Sequence, residues 1–106
     1  MKILITGVHG FVGTNLVAAL KDKYVIYGLD IVSPFKEGVQ NTFGWNNLDD
    51  GKIPYVDAII HLAGKAHDTK NQSAADLYFK VNTDLTKRIY DYYLKSNAKK
   101  FIFLVP

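Results

Sequence analysis

Residues Lys2 to Thr14 read KILITGVHGFVGT, and this stretch decides the fold. Lys2 to Thr6 is a short apolar run ending in threonine, the pattern of a buried strand. Gly7, Gly10 and Gly13 follow at G-x-x-G-x-x-G spacing, and Phe11, Val12, Leu16, Val17 and Leu20 then recur at helical spacing. A strand, a glycine turn and a helix in that order form the setting a phosphate-binding loop requires. Glycine permits the sharp turn and leaves the backbone bare for close approach. The helix start offers unpaired N–H groups and a positive dipole end to an anion. In such loops an acid follows roughly 20 residues later and holds a ribose hydroxyl. Asp30 stands there, closing the second apolar run, Tyr24–Leu29. The plainer reading, a tight turn whose glycines serve helix packing alone, leaves the placement of Asp30 as coincidence.

Outward from this unit, strand and helix patterns alternate. Ile31 to Gly44 carries Ser33-Pro34, Gly38 and Gly44 and reads as a loop; Phe43 to Leu48, FGWNNL, reads as a short third strand. Leu48 to Pro54 is turn material around Asp50-Gly51. Asp57–Leu62, DAIIHL, is a fourth strand apolar enough to be covered on both faces. A polar stretch from Lys65 to Gln72 leads to Ser73, a cap for an amphipathic helix in which Leu77, Val81, Leu85 and Ile89 recur every four residues. Asp84 and Arg88 are spaced for an ion pair along that helix. Its tyrosines, Tyr78, Tyr90, Tyr92 and Tyr93, read as core edge or interface. Lys100–Val105, KFIFLV, is the fifth strand. The fold expected is α/β, a Rossmann-type parallel sheet with flanking helices, in the order 3-2-1-4-5. Ligands of such sheets sit at the carboxyl ends of the strands, where the glycine loop, Asp30 and Ala63-Gly64 gather.

Composition narrows the class. The 106 residues are enough for one domain, and a hydrophobic fraction of 48% is that of a globular chain. Cysteine is absent, so neither disulfides nor thiol chemistry arise. Apolar runs fall short of a membrane span, and Met1-Lys2 leads straight into the first strand, so a cytoplasmic protein without membrane association is expected. The net charge of +3 comes from scattered lysines with Arg88 as the one arginine, which reads as a solvated surface, not a nucleic-acid face. His9, His61 and His67 have no common ligand spacing, so no metal site is expected. Asp49-Asp50 sits beside Gly51 as a turn does, not as a catalytic pair. A P-loop is excluded, since no Gly-Lys-Ser/Thr follows the glycines.

With these residues in view, the chain resembles the amino-terminal part of the NAD-dependent epimerase/dehydratase family, the nucleotide-sugar branch of the extended short-chain dehydrogenases/reductases. Thr6 to Gly13 is similar to that family's TGxxGFxG loop, Leu29-Asp30 to the acid closing its second strand, and Asp57 to Gly64 to its "DAxIHLAG" strand. Val81-Asn82-Thr83 and Lys100 to Phe103 are similar to its helix asparagine and following strand. The resemblance implies roles. Gly7, Gly10 and Gly13, with the N–H groups of Phe11 and Val12, cradle the pyrophosphate of NAD. Asp30 accepts from the adenosine ribose. Leu62, Ala63 and Gly64 pack on the cofactor's far side. An adenine contact falls among Asn46, Asn47, Asp49 and Asp50.

The departures are equally informative. The family's acid/base pair is Tyr-x-x-x-Lys, and no lysine here has a tyrosine four places before it. Residues 1–106 thus read as the amino-terminal portion of an NAD(P)-binding Rossmann domain, a partial or truncated representative with no catalytic residue of its own. The catalytic second half and the substrate domain lie outside these residues, and a nucleotide-sugar substrate belongs to a full-length parent. The rival reading is a non-catalytic nucleotide-binding or assembly module. The uninterrupted apolar run Phe101 to Val105, at a sheet margin, is expected to pair with a second copy of the chain.

Overall fold

A computed structural model describes residues 1–62 and 72–104. In chain order the elements are β1 (Lys2–Thr6), α1 (Phe11–Leu20), β2 (Val25–Leu29), β3 (Val39–Phe43), a 3₁₀ turn (Trp45–Leu48), β4 (Ala58–Leu62), α2 (Gln72–Lys95) and β5 (Lys100–Leu104). The five strands form one sheet, β3-β2-β1-β4-β5, with every pair parallel. The order and the parallel sense are those expected from the alternation of patterns. β1 is central: Ile5 lies between Gly28 on one side and Ile60 on the other.

Strand alternation explains the two cores. Successive side chains point to opposite faces. Ile3 and Ile5 of β1 therefore join Val8, Val17, Ile26, Ala58 and Ile60 on the α1 face. Leu4 joins Leu29, Ile53, Val56, Ile59 and Ile89 on the α2 face. A strand covered on both sides has no polar face, which is why β1 and β4 read as continuous apolar runs. In α2, Ile89 is fully buried against the sheet whereas Val81 is exposed. Tyr90 and Tyr93 close over Phe101 of β5, at ring distances of 5.4 and 5.3 Å. Tyr92 and Tyr93 pack beside the same core, the edge role their spacing indicated.

One strand lies elsewhere than the sequence pattern put it. β3 is Val39–Phe43, inside the segment read as loop, and Trp45–Leu48 forms the 3₁₀ turn. The cause is β3's position at the sheet margin. Gln40 and Asn41 are exposed there, so the strand carries no apolar alternation, and pairing with β2 makes it a strand. Trp45 and Leu48 look strand-like in sequence because both are apolar, but they pack down on the α2-face core from a turn.

At the opposite margin, Ile102, Phe103 and Leu104 of β5 are about two-fifths exposed. Among the described residues no helix is long and apolar enough to cross a membrane. Ser73, Leu77 and Tyr78 as side chains, and Val105 and Pro106, lie outside the described residues.

The packing makes a stability prediction. Ile59 is wholly buried on β4, so Ile59→Ala should cost about 2–5 kcal/mol in denaturant unfolding. Ile102→Ala, at the exposed margin, should cost about 1 kcal/mol or less by the same measurement.

Candidate functional site

The turn after β1 is held from three sides. Gly7 adopts φ +66°, a conformation that favours glycine, and its N–H donates to Leu29 O of β2 at 2.8 Å. Gly10 N–H folds back to Gly7 O at 3.0 Å, and Gly10 then caps α1 through backbone alone. Gly13 is the closest approach. A Cβ there would stand 2.5 Å from Gly7 O and 2.6 Å from Val8 O, so the first turn of α1 lies directly on the loop. Gly7 thus serves the turn and Gly13 the contact.

The helix start is open to an anion. No side chain caps it, and its first turn contains no acidic residue. The first N–H groups of an α-helix have no partner within the helix, and the dipole concentrates positive charge there. Phe11 and Val12 carry their side chains outward, at 85% and 44% exposure, and leave their backbone at the rim.

Asp30 is brought to the same place, but with a second task. Its Oδ2 accepts from His9 N–H at 2.9 Å and its Oδ1 from Ile31 N–H at 2.7 Å. The carboxylate therefore fastens the glycine loop to the end of β2, and two hydrogen bonds do not exhaust the lone pairs of a carboxylate. The His9 ring reaches Thr42 Oγ1 of β3 at 2.9 Å through Nε2. Leu62, at the end of β4, comes within 3.8 Å of where a Gly7 Cβ would be and so borders the loop. Ala63 and Gly64, with His67, lie outside the described residues.

The four residues competing for the base contact separate. Asn47 is spent on the turn: its Oδ1 accepts from Gly44 N–H at 2.9 Å and its Nδ2 donates to Asp50 at 2.8 Å. Asp50 also accepts from Lys52 N–H, and the Asn47 amide holds its carboxyl below the usual carboxylate range. The Asp49-Asp50 pair is thus a turn, as its neighbour Gly51 indicated. Asp49 faces Arg88 at 3.7 Å. Asn46 is exposed beside Gly44.

Arg88 corrects another expectation. Instead of the spacing-derived partner Asp84, it crosses to the 3₁₀ turn, donating to Trp45 O at 3.0 Å with its guanidinium 6.0 Å from the indole centre. A partner on another element is invisible to helix spacing. A cleft of about 350 Å³ opens beside it, lined by Leu48, Asp49, Asp91 and Lys95 among others, on the α2 face away from the glycine loop.

Sequence reading passed over two threonines. Thr6 Oγ1 lies 2.6 Å from His61 Nδ1, and His61 Nε2 lies 2.9 Å from Thr86 Oγ1. His61 is buried, a structural residue in the strand as its apolar neighbours implied, and burial pushes its pKa down. The sequence signal was slight: a threonine closing the apolar run of β1 and a histidine within the apolar run of β4.

Strand order, glycine turn and uncapped helix define the class: a Rossmann-type α/β domain with an anion-receiving rim. The pattern of the NAD dependent epimerase/dehydratase family matches residues 3–105, and the chain belongs to that family. It is 33% identical over 116 aligned positions to a UDP-glucose 4-epimerase of Vibrio cholerae, covering 97% of this chain and 34% of that protein. It is similar in structure to a UDP-N-acetylglucosamine 4-epimerase from Methanobrevibacter ruminantium M1, solved with UDP-N-acetylmuramic acid, with TM-score 0.71 and 26% identity over 96% of this chain and 36% of that one. A short-chain dehydrogenase/reductase superfamily protein from Agrobacterium tumefaciens with bound NAD matches with TM-score 0.68 and 26% identity, over 97% and 32%. The chain spans about a third of the length of these relatives.

The contact at Gly13 predicts the effect of one methyl group. Gly13→Ala must push α1 off the loop and should cost about 1–3 kcal/mol in thermal or denaturant unfolding, a penalty of overpacking.

Proposed function

We propose that this chain is the NAD-binding portion of a nucleotide-sugar epimerase or dehydratase-like enzyme. The observation that carries the reading is the uncapped, acid-free start of α1 packed on the Gly7–Gly13 loop with Asp30 beside it. Glycine at position 13 lets the helix start pack directly on the loop backbone, and the unpaired N–H groups of such a start suit a pyrophosphate. Gly7, Gly10 and Gly13, with the N–H groups of Phe11 and Val12, hold the phosphates. Asp30 accepts from the adenosine ribose while keeping His9 N–H, and Leu62, with the Ala63-Gly64 that follows it in sequence, is assigned to the cofactor's far side. NAD, when bound, supplies a hydride acceptor that takes hydride from a sugar carbon and returns it. This chain's own residues bind and orient. Relatives named for different sugar nucleotides match the same portion, which favours a task common to them over a choice of sugar.

Asp30 sets the cofactor preference. A carboxylate accepts from a 2′-hydroxyl and repels a 2′-phosphate. Titration with both dinucleotides should show tighter NAD than NADP. Asp30→Asn keeps an acceptor for His9 N–H but removes the charge, and it should narrow the ratio by about tenfold, the scale of one charged hydrogen bond. Equal affinities for the unaltered chain would refute the assignment.

Proton transfer at the sugar needs a positioned acid/base, and these 106 residues contain no Tyr-x-x-x-Lys. The purified 106-residue chain should therefore reduce no NAD with UDP-sugars above a Gly13→Trp control. Turnover above that control would overturn the claim.

A further inference from the structure

His61 sits in a hydrogen-bond chain whose directions follow from its two ends. At one end Thr86 Oγ1 donates to Asn82 O at 2.9 Å, and a carbonyl only accepts. The Thr86 proton is thus committed, and the hydroxyl offers His61 a lone pair, so His61 Nε2 carries the proton and donates to it. At the other end Leu62 N–H donates to Thr6 Oγ1 at 3.1 Å. The neutral ring's Nδ1 is then an acceptor, and Thr6 O–H donates to it at 2.6 Å. One path runs from the end of β4 through the last residue of β1 and across to α2. Thr6 is the residue before Gly7, so the path ends where the phosphate cradle begins.

A second proton on the ring would break this order. Nδ1–H and Thr6 O–H would face one another as two donors, and the Thr6 hydroxyl would have to turn away from its one buried acceptor. Among the described residues, the groups packed on the ring are Trp45 from the 3₁₀ turn and Phe101 and Phe103 from β5, at 6.4, 6.4 and 5.3 Å between ring centres, and they keep water from it. The charged groups on the surrounding elements, among the described residues, are Arg88, which lies over the Trp45 ring and faces Asp49; Lys80, Asp84, Lys87, Asp91 and Lys95, exposed on α2; and Lys2 and Lys100, exposed at the far ends of β1 and β5. Asp30 and His9 lie across the loop, tied to each other and to Thr42.

We infer that neutral His61 is a positioning residue, which through Thr6 and Thr86 holds the phosphate loop against α2, and that proton uptake there loosens the loop and weakens dinucleotide binding. The inference rests on the dinucleotide-binding reading, but the relay itself is open to a separate measurement. Burial lowers the folded pKa below the unfolded value, so the stability due to the neutral ring is complete above about pH 6.5 and is lost as pH falls from there through the folded pKa.

The test compares the 106-residue chain with His61→Gln, whose amide offers an acceptor and a donor at similar separation and takes up no proton. Nitrogen NMR of the imidazole should show the neutral Nε2–H tautomer at about pH 8. NAD affinity should fall on the order of tenfold from about pH 8 to about pH 5 in the unaltered chain and stay nearly flat in H61Q, since only one of them carries the switchable ring. His9 is present in both, so its contribution cancels in the comparison. An Nδ1–H tautomer, or equal pH slopes in the two proteins, would overturn the inference. If the unaltered chain binds no NAD at about pH 8, the functional reading fails instead, and the tautomer together with the pH profile of unfolding still decides the relay. Should H61Q not fold, Thr86→Val removes the acceptor and should weaken NAD binding at about pH 8, with Thr86→Ser restoring it. Unchanged affinity in T86V would count against the relay.

Discussion

The structure depends on how closely α1 can approach the turn after β1. The helix begins over Gly7 and Val8 at a separation no side chain at position 13 would allow. That contact places the first turn of the helix at the carboxyl end of the central strand, with no capping side chain between its N–H groups and the rim. Every tie on the loop serves the same geometry. Gly7 N–H is taken by Leu29 O, His9 N–H by Asp30, and Thr6 by Leu62 and His61. The loop is thereby fixed to β2 on one side and to β4 on the other.

The two sheet faces divide the work. The α1 face is closed by aliphatic packing around Val8 and Val17, and it carries the cradle. The α2 face is built around aromatic rings and polar links: His61 between two hydroxyls, Trp45 against His61, and Arg88 against Trp45. Apolar area sets how strongly each face holds, since burial is non-directional. Hydrogen bonds with defined donors and acceptors set how α2 is rotated and seated, because a buried polar group left unpaired costs about 1–3 kcal/mol. The polar links therefore specify position where the apolar contacts supply cohesion.

Within the epimerase/dehydratase family this arrangement belongs to the part of the molecule that relatives with different sugar nucleotides in their names have in common. The carboxylate of Asp30 illustrates how one side chain ties two elements together. One oxygen accepts from the loop and the other from the residue after β2. Loss of both oxygens frees the loop, whereas a change that keeps one oxygen can retain the bond to His9 N–H.

Much of this was legible in the chain alone. β1, the glycine turn, α1, β4 and β5, and with them the order of the sheet, follow from apolar runs, glycine spacing and helical periodicity, all of which depend on neighbours along the sequence. Asp30 was legible because the distance from glycine loop to acid is set by one helix and one strand. What the tertiary structure decided involves partners far apart in sequence. β3 is a strand because β2 offers it a ladder at the sheet margin, and its own residues carry no alternation that would say so. Arg88 meets Trp45 and Asp49 because α2 crosses the 3₁₀ turn, a contact that spacing within the helix does not encode. Thr6, His61 and Thr86 form one relay only once β1, β4 and α2 are packed. Local pattern determines which elements exist; which polar groups meet is decided by the packing that brings distant residues within 3 Å.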